Sequence, residues 1–237
     1  MFGLTRETEE TWDTIAESFD VTRRKPWQIC LDFIDRLDSN SIVADLGCGN
    51  GRHLLPCAER FKRVVGVDIS RNLLKITLGK VRSKGFENVL LLQSDLAELP
   101  IKDNSFDGAL FIASLHNIRG RNRRINSLKE LRRVLKKNGI ALVSVWSRWQ
   151  DRFANRFLVD LFLFPFRYIR SHGKYEFGDI EIFWRQHNLN VKRFYHLYSK
   201  RELLKDVKKA GLRIIEIKDV KLKSKKRPDN FFVIVRK

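Results

Sequence analysis

A chain of 237 residues, 43% of them hydrophobic, can bury a full core as one large domain and leaves little room for two independent ones. Its 47 Lys and Arg against 28 Asp and Glu give a formal charge of +19, a surplus that favours a polyanionic partner bound in a salt-dependent way. Three cysteines, Cys30, Cys48 and Cys57, are too few and too scattered for a disulfide framework or a zinc site, so no metal is expected.

Residues 1–20 hold one arginine and six acids, which argues against a signal peptide and for a cytoplasmic, reduced protein. From Glu10 to Leu37 the apolar spacing predicts two helical pieces interrupted near Arg23-Arg24-Lys25-Pro26, because proline disfavours helix in the residue before it. Residues 1–40 should thus form a helical lid ahead of a core at 41–147. In that core the pattern predicts strand 42–46, helix from about 51 to 60, strand 63–68, helix 70–83, strands 88–93 and 106–113, helix 121–137 and strand 139–147. Such alternation implies an α/β, Rossmann-like fold: a mostly parallel sheet with helices on both faces.

Residues 148–198 break the rhythm with aromatic and basic side chains and no clear two-residue period, and are expected to be an insertion. Their most apolar stretch, Phe157 to Phe166, contains Asp160 and is too short to cross a bilayer, so no membrane association is expected. The pattern resumes over 199–237 with helix 199–210, strand 212–220, a basic turn at Lys226-Arg227-Pro228-Asp229 and strand 230–236. Two closing strands joined without a helix should be antiparallel neighbours, completing a seven-stranded sheet whose last strand runs against the others. Basic residues cluster at 119–137, nine against one acid, and at 185–237, seventeen against five.

Chemistry concentrates at the strand ends, where open α/β sheets bind their ligands. Asp45-Leu-Gly-Cys-Gly-Asn-Gly51 follows the apolar run Ile42-Val43-Ala44, and its glycines Gly47, Gly49 and Gly51, with Asn50, would bring backbone N–H groups close to a ligand. Asp68 ends the next strand and is placed to accept hydrogen bonds from two ribose hydroxyls. Asp95, after Ser94 and before Leu96, could take an adenine amino group or simply cap a helix over Leu96-Ala97-Glu98. A nicotinamide dinucleotide is the nearest rival ligand, but the spacing Gly47-x-Gly49-x-Gly51 lacks the usual three-residue gap, and the third strand-end acid favours S-adenosyl-L-methionine.

Through Asp45 to Gly51, Gly66-Val-Asp-Ile-Ser70, Ser94-Asp95 and Ser105-Phe-Asp-Gly-Ala-Leu110 the chain resembles the class I S-adenosyl-L-methionine-dependent methyltransferases. Narrower matches lie in Trp12-Asp-Thr-Ile-Ala16, Thr22-Arg-Arg-Lys-Pro-Trp27, Ile112-Ala-Ser-Leu-His116, Leu131-Arg-Arg-Val-Leu135, Val145-Trp146, Phe194-Tyr-His-Leu-Tyr198 and Asn230-Phe-Phe-Val-Ile234. These are similar to the tRNA wobble-uridine carboxymethyl methyltransferases, a domain also fused to an AlkB-type dioxygenase in animals. The resemblance implies methyl esterification of 5-carboxymethyluridine at position 34, a tRNA anticodon loop as partner, and a small zinc-binding activator subunit in a heterodimer.

It also implies a cofactor set of Asp45, Gly47, Gly49, Asn50, Gly51, Asp68, Ile69, Ser94, Asp95, Leu96 and Ala113, with Arg23, His116 and His196 acting on substrate. Arg23 suits a carboxylate or phosphate because a guanidinium can grip either with two hydrogen bonds, although it could equally be a solvated neighbour of Arg24 and Lys25. The chain departs from the family at Trp12, where Tyr is usual, at Asn117, where a second His is common, and at Lys136-Lys-Asn-Gly139, which replaces a Pro-Gly-Gly turn. A small-molecule methyltransferase acting on quinone precursors is the alternative, motivated by the generic core and the apolar 157–166 stretch.

Overall fold

The computed structural model describes residues 2–237. In chain order the lid is α1 (Phe2–Thr22) and α2 (Gln28–Ile34), and the core runs β1 (Ile42–Leu46), α3 (Leu54–Arg60), β2 (Arg63–Asp68), α4 (Arg71–Ser83), β3 (Val89–Gln93), β4 (Phe106–Ile112), a 3-10 turn (Leu115–Asn117), α5 (Arg121–Val134) and β5 (Leu135–Trp146). The remainder is α6 (Ala154–Arg170), β6 (Asp179–Trp184), β7 (Val191–His196), α7 (Lys200–Lys209), β8 (Arg213–Val220) and β9 (Asn230–Arg236).

Seven strands pair in the order β3-β2-β1-β4-β5-β9-β8. The first five are parallel, while β9 enters antiparallel between β5 and β8, with Val143 opposite Val233. The mostly parallel sheet with an antiparallel last strand is therefore as expected. Strands such as Ile42-Val-Ala-Asp-Leu46 are apolar on both faces because helices cover both. Leu128, Leu131 and Val134 of α5 and Leu203 and Val207 of α7 pack on one face, Phe33 of α2, Cys57 of α3 and Leu74 of α4 on the other. Strand order reverses between β1 and β4, and a crevice opens beyond their carboxyl ends.

The elements differ from expectation in several places: α1 already runs from Phe2, and α3 starts at Leu54 and not near residue 51. Helix α5 stops at Val134, because Leu135 already pairs with Phe106 and β5 starts four residues earlier than its apolar run suggests. The 148–198 segment holds α6 and a separate β6–β7 ribbon. Strand β6 does alternate, with Ile180, Ile182 and Trp184 buried against Glu181 and Phe183 exposed, but the outward Phe183 hides the period in a hydrophobicity reading.

Candidate active site

The glycine loop leaves β1 in a path that few residues could follow. Gly47 has φ +79°, and a Cβ there would lie 2.1 Å from the Ser114 hydroxyl oxygen, so only hydrogen fits between the ends of β1 and β4. Asp68 pins the loop from below: its Oδ2 accepts the Gly49 N–H at 2.8 Å and its Oδ1 the Ser70 N–H at 2.9 Å. Burial pushes the Asp68 carboxyl up, against those backbone donors. Each oxygen keeps a lone pair for a ribose hydroxyl.

Gly47, Gly49, Asn50, Asp68, Ile69 and Asp95 line one crevice, together with Leu96 and Ala113. Asp95 Oδ1 accepts the Ala97 N–H at 2.9 Å and its other oxygen pairs with Arg123, so the acid, which also faces the crevice, closes a turn where a helix cap was expected. Three expected cofactor residues lie outside this lining. Gly51 packs against Thr77, the Ser94 hydroxyl turns to the Asp95 and Glu98 carbonyls, and Asp45 sits beneath the loop.

Asp45 is nonetheless informative. It is almost fully buried, its Oδ2 has no hydrogen-bond partner, and its carboxyl is pushed up to about 7 by burial first and then by the Asp68 charge. An orphan acid beneath a loop of glycines suits a ligand that carries positive charge, as a sulfonium donor with an ammonium group does. The residues present therefore fit S-adenosyl-L-methionine.

The acidic start of the chain finds its use in the lid. Asp13 Oδ1 accepts the Ser70 hydroxyl at 2.5 Å and the Asn72 N–H at 2.9 Å. Asn50 Nδ2 donates to Asp20 Oδ1 at 2.7 Å and to the Arg23 carbonyl at 2.9 Å, and Lys80 also pairs with Asp20. In the same helix the Ser18 hydroxyl accepts the Trp184 indole N–H at 2.7 Å and lies 2.7 Å from His187 Nδ1. Helix α1 thus spans from the glycine loop to the β6–β7 ribbon.

Past Ala113 the crevice has an aromatic wall. His116 lies on the turn after β4, buried, with Nδ1 accepting the Trp146 N–H at 3.0 Å. Its ring packs against Trp146 and Tyr195, which stack on each other at 4.9 Å and 10°. Burial, then the charges of His196 and Arg193, lower its pKa to about 3. A neutral imidazole whose Nδ1 is an acceptor carries its proton on Nε2, so His116 can donate a hydrogen bond into the crevice but is a poor base. Arg23 lines the same space, its guanidinium 5.8 Å from Phe19 and 5.7 Å from Trp184.

His196 is not with them. As the residue after Tyr195 on β7 it points to the other side of the strand, where Nδ1 lies 2.8 Å from Asp179 Oδ1 and Nε2 3.0 Å from Glu202 Oε1. Arg148 reaches the same Glu202 at 2.6 Å, and against burial these partners hold its carboxyl down to about 2. The expected role of His196 on substrate gives way to that of a buried brace between ribbon and α7. Sequence reasoning passed over Arg52 and Arg193, and named Trp12, Asn117 and Trp146 only as family departures or matches without a site role; all five face the crevice. The alternation of β7, which sends Arg193 and Tyr195 to one side and His196 to the other, was the available signal.

The methyltransferase-domain family matches residues 44–143. The tRNA (carboxymethyluridine(34)-5-O)-methyltransferase of Schizosaccharomyces pombe is 31% identical over 87% of this chain and 89% of its own length. The protein of the same activity name from Mus musculus is 34% identical over 62% of this chain, which spans only about a fifth (21%) of that longer relative. Among solved structures, a SAM-dependent methyltransferase from Methanosarcina mazei superposes with TM-score 0.71 at 20% identity, covering 90% of this chain and 98% of that one.

Proposed function

The chain belongs to the S-adenosyl-L-methionine-dependent methyltransferases, in the family that includes the fission yeast tRNA (carboxymethyluridine(34)-5-O)-methyltransferase, and from this premise we propose that it esterifies the carboxylate of 5-carboxymethyluridine at tRNA position 34. The observation that carries the reading is one continuous crevice running from Gly47 and Asp68 to a neutral His116 and the Trp146–Tyr195 stack. An ionised carboxylate has no proton to give up, so a site for this reaction needs no strong base, and His116 is not one. The bound donor supplies a methyl group on a cationic sulfur, which leaves with the bonding electron pair as a carboxylate oxygen takes the carbon.

This chain's residues supply alignment and dryness. Asp68 and the glycine loop fix the donor end, the His116 Nε2–H and the aromatic wall orient the acceptor, and α1 covers the loop against water. Holding the two reactants in line accounts for rate enhancements of roughly 10⁵ or more without acid–base chemistry. Around the mouth stand Arg24, Lys25, Arg152, Arg156, Arg185 and Lys223, a rim suited to the phosphates of an anticodon loop. The small zinc-binding activator belongs to the same proposal. Strand β3 is one of the two outer strands of the sheet and exposes Leu90, an edge for such a partner to cover. A cytoplasmic setting suits three cysteines that are all unpaired.

The test is methyl transfer from labelled S-adenosyl-L-methionine to a synthetic anticodon stem-loop carrying 5-carboxymethyluridine, with and without an activator subunit, followed by nucleoside mass spectrometry. Methyl ester at position 34 is expected. Cofactor binding without any ester, activator included, would overturn the assignment.

A further inference from the structure

Three arginines of this chain are almost fully buried, Arg124, Arg148 and Arg193. Arg124 is paired with Glu176 and Arg148 with Glu202, as a buried cation requires. Arg193 differs: among the described residues no carboxylate lies within ion-pair distance of it. Its polar contact is through Nη1, which donates to the Tyr195 hydroxyl at 2.5 Å, while Nε is buried without any partner. Among the described residues, the edge of the guanidinium fork formed by Nε and Nη2 therefore has no protein acceptor.

The surroundings hold this cation without neutralising it. Its guanidinium carbon lies 4.7 Å from the Trp184 ring, 5.1 Å from Tyr195 and 5.7 Å from Trp12, and ring faces attract a cation but leave its N–H groups unused. Arg23 shares the Trp184 ring at 5.7 Å. The positive charges of Arg23 and Arg152 add to the cost that burial already imposes on Arg193. Three guanidinium groups converging without an acid are unfavourable until an anion arrives.

Resting on the function proposed above, we infer that Arg193 is the residue that reads the negative charge of the substrate, receiving the reacting carboxylate on its free Nε–Nη2 edge beside His116. A planar carboxylate matches that edge with two parallel hydrogen bonds, and each oxygen keeps a lone pair for the methyl group. Tyr195 fixes the fork by occupying Nη1 and ties it to the Trp146 stack. The site therefore prefers an ionised carboxymethyl group to the neutral carbamoylmethyl group, which is of similar size but uncharged and whose amide nitrogen is a donor that would face the arginine donors. Phosphates are left to the exposed basic side chains of the rim, Arg24, Lys25 and Arg185 among them, while Arg193 is almost fully buried.

The experiment uses the full chain and two synthetic anticodon stem-loops, one with 5-carboxymethyluridine and one with 5-carbamoylmethyluridine, with binding measured in the presence of S-adenosylhomocysteine and methyl transfer measured with the donor. The variants are Arg193→Gln and Arg193→Lys, each checked by thermal melting and by calorimetry for cofactor affinity. Wild type should bind the carboxymethyl RNA about tenfold or more tightly over the amide, and Arg193→Gln should lose that preference together with about 100-fold in kcat/KM. Arg193→Lys, which keeps the charge without the fork, should recover part of both. Cofactor affinity and melting should stay near wild type. An Arg193→Gln protein that keeps the preference overturns the inference, as does a wild type with none, or losses in Gln and Lys variants that follow cofactor affinity. A wild type that binds with the preference but never forms ester overturns the reaction instead, so the two failures are told apart.

Discussion

Asn50 of the glycine loop donates its side-chain N–H to Asp20 of the lid helix at 2.7 Å, so the loop proposed to cradle the donor is also fastened to the helix that covers it. The contact is reinforced by Lys80, which reaches both Asp20 and the Asn50 carbonyl, the latter at 3.0 Å. Replacing Asp20 with Ala should weaken S-adenosyl-L-methionine binding by about threefold to tenfold, the worth of a partly exposed, charge-assisted contact. Calorimetry on the purified variant measures it, and wild-type affinity would mean that the clasp plays no part in retaining the donor.

Asp45, raised to about 7 by burial and by Asp68, is half protonated near neutral pH in the free protein. A cationic donor above it favours the ionised form, so binding at pH 7 should release roughly half a proton. Binding enthalpies compared in buffers of different ionisation heat give this number directly. The release should vanish in Asp45→Asn, and its persistence there would assign the proton to another group.

His116 makes the opposite contribution to stability. It is neutral when folded, with a pKa of about 3, but takes a proton near 6.5 when unfolded, so the unfolded chain binds more protons between those values. Its contribution is complete above pH 6.5 and declines as pH falls, by about 1.4 kcal/mol per pH unit. Because Asp45 slopes the other way, the measurement is a difference. Relative to His116→Gln, the wild type should lose about 2 kcal/mol between pH 7.5 and 5 in denaturant titrations. Parallel stability profiles for the two proteins would show that the ring does not resist protonation.

His196, held between Asp179 and Glu202, should behave as a brace. Changing it to Asn leaves two partly buried carboxylates and Arg148 poorly matched, at a cost of about 2 kcal/mol. Activity per folded molecule should remain within about threefold of wild type, because the side chain faces away from the crevice. A large fall in kcat at temperatures where the variant is fully folded would restore its role on substrate.

The half of the crevice around the glycine loop was legible because its signals are local: glycines behind an apolar strand, and acids at successive strand tips. Asp68 and Gly47 stand where that pattern puts them, and Asp45 fell short because periodicity does not say which side of a loop a carboxylate takes. The substrate half was harder. Arg23 and His116 were found through their flanking motifs and do face the crevice. Arg193 was missed because what distinguishes it is the lack of an acid nearby in space, a property that composition cannot carry in a chain with 47 basic residues. The β6–β7 ribbon was missed because Phe183 and Trp184 sit side by side on opposite faces and blur the alternation that their strand obeys.

Ser18 anchors the C-terminal part of α1 to Trp184, while Asp13 and Asp20 on either side of it anchor the helix to the turn after β2 and to the glycine loop. One rod is therefore bolted to two plates, one carrying the glycine loop proposed to hold the methyl donor and the other bearing the arginine and tyrosine proposed to face the acceptor. Prising the rod up at either end strains the joint at the other, so the two compartments share a single latch. Reactants and spent cofactor would come and go on a common stroke, and damage to any one bolt would register in both compartments.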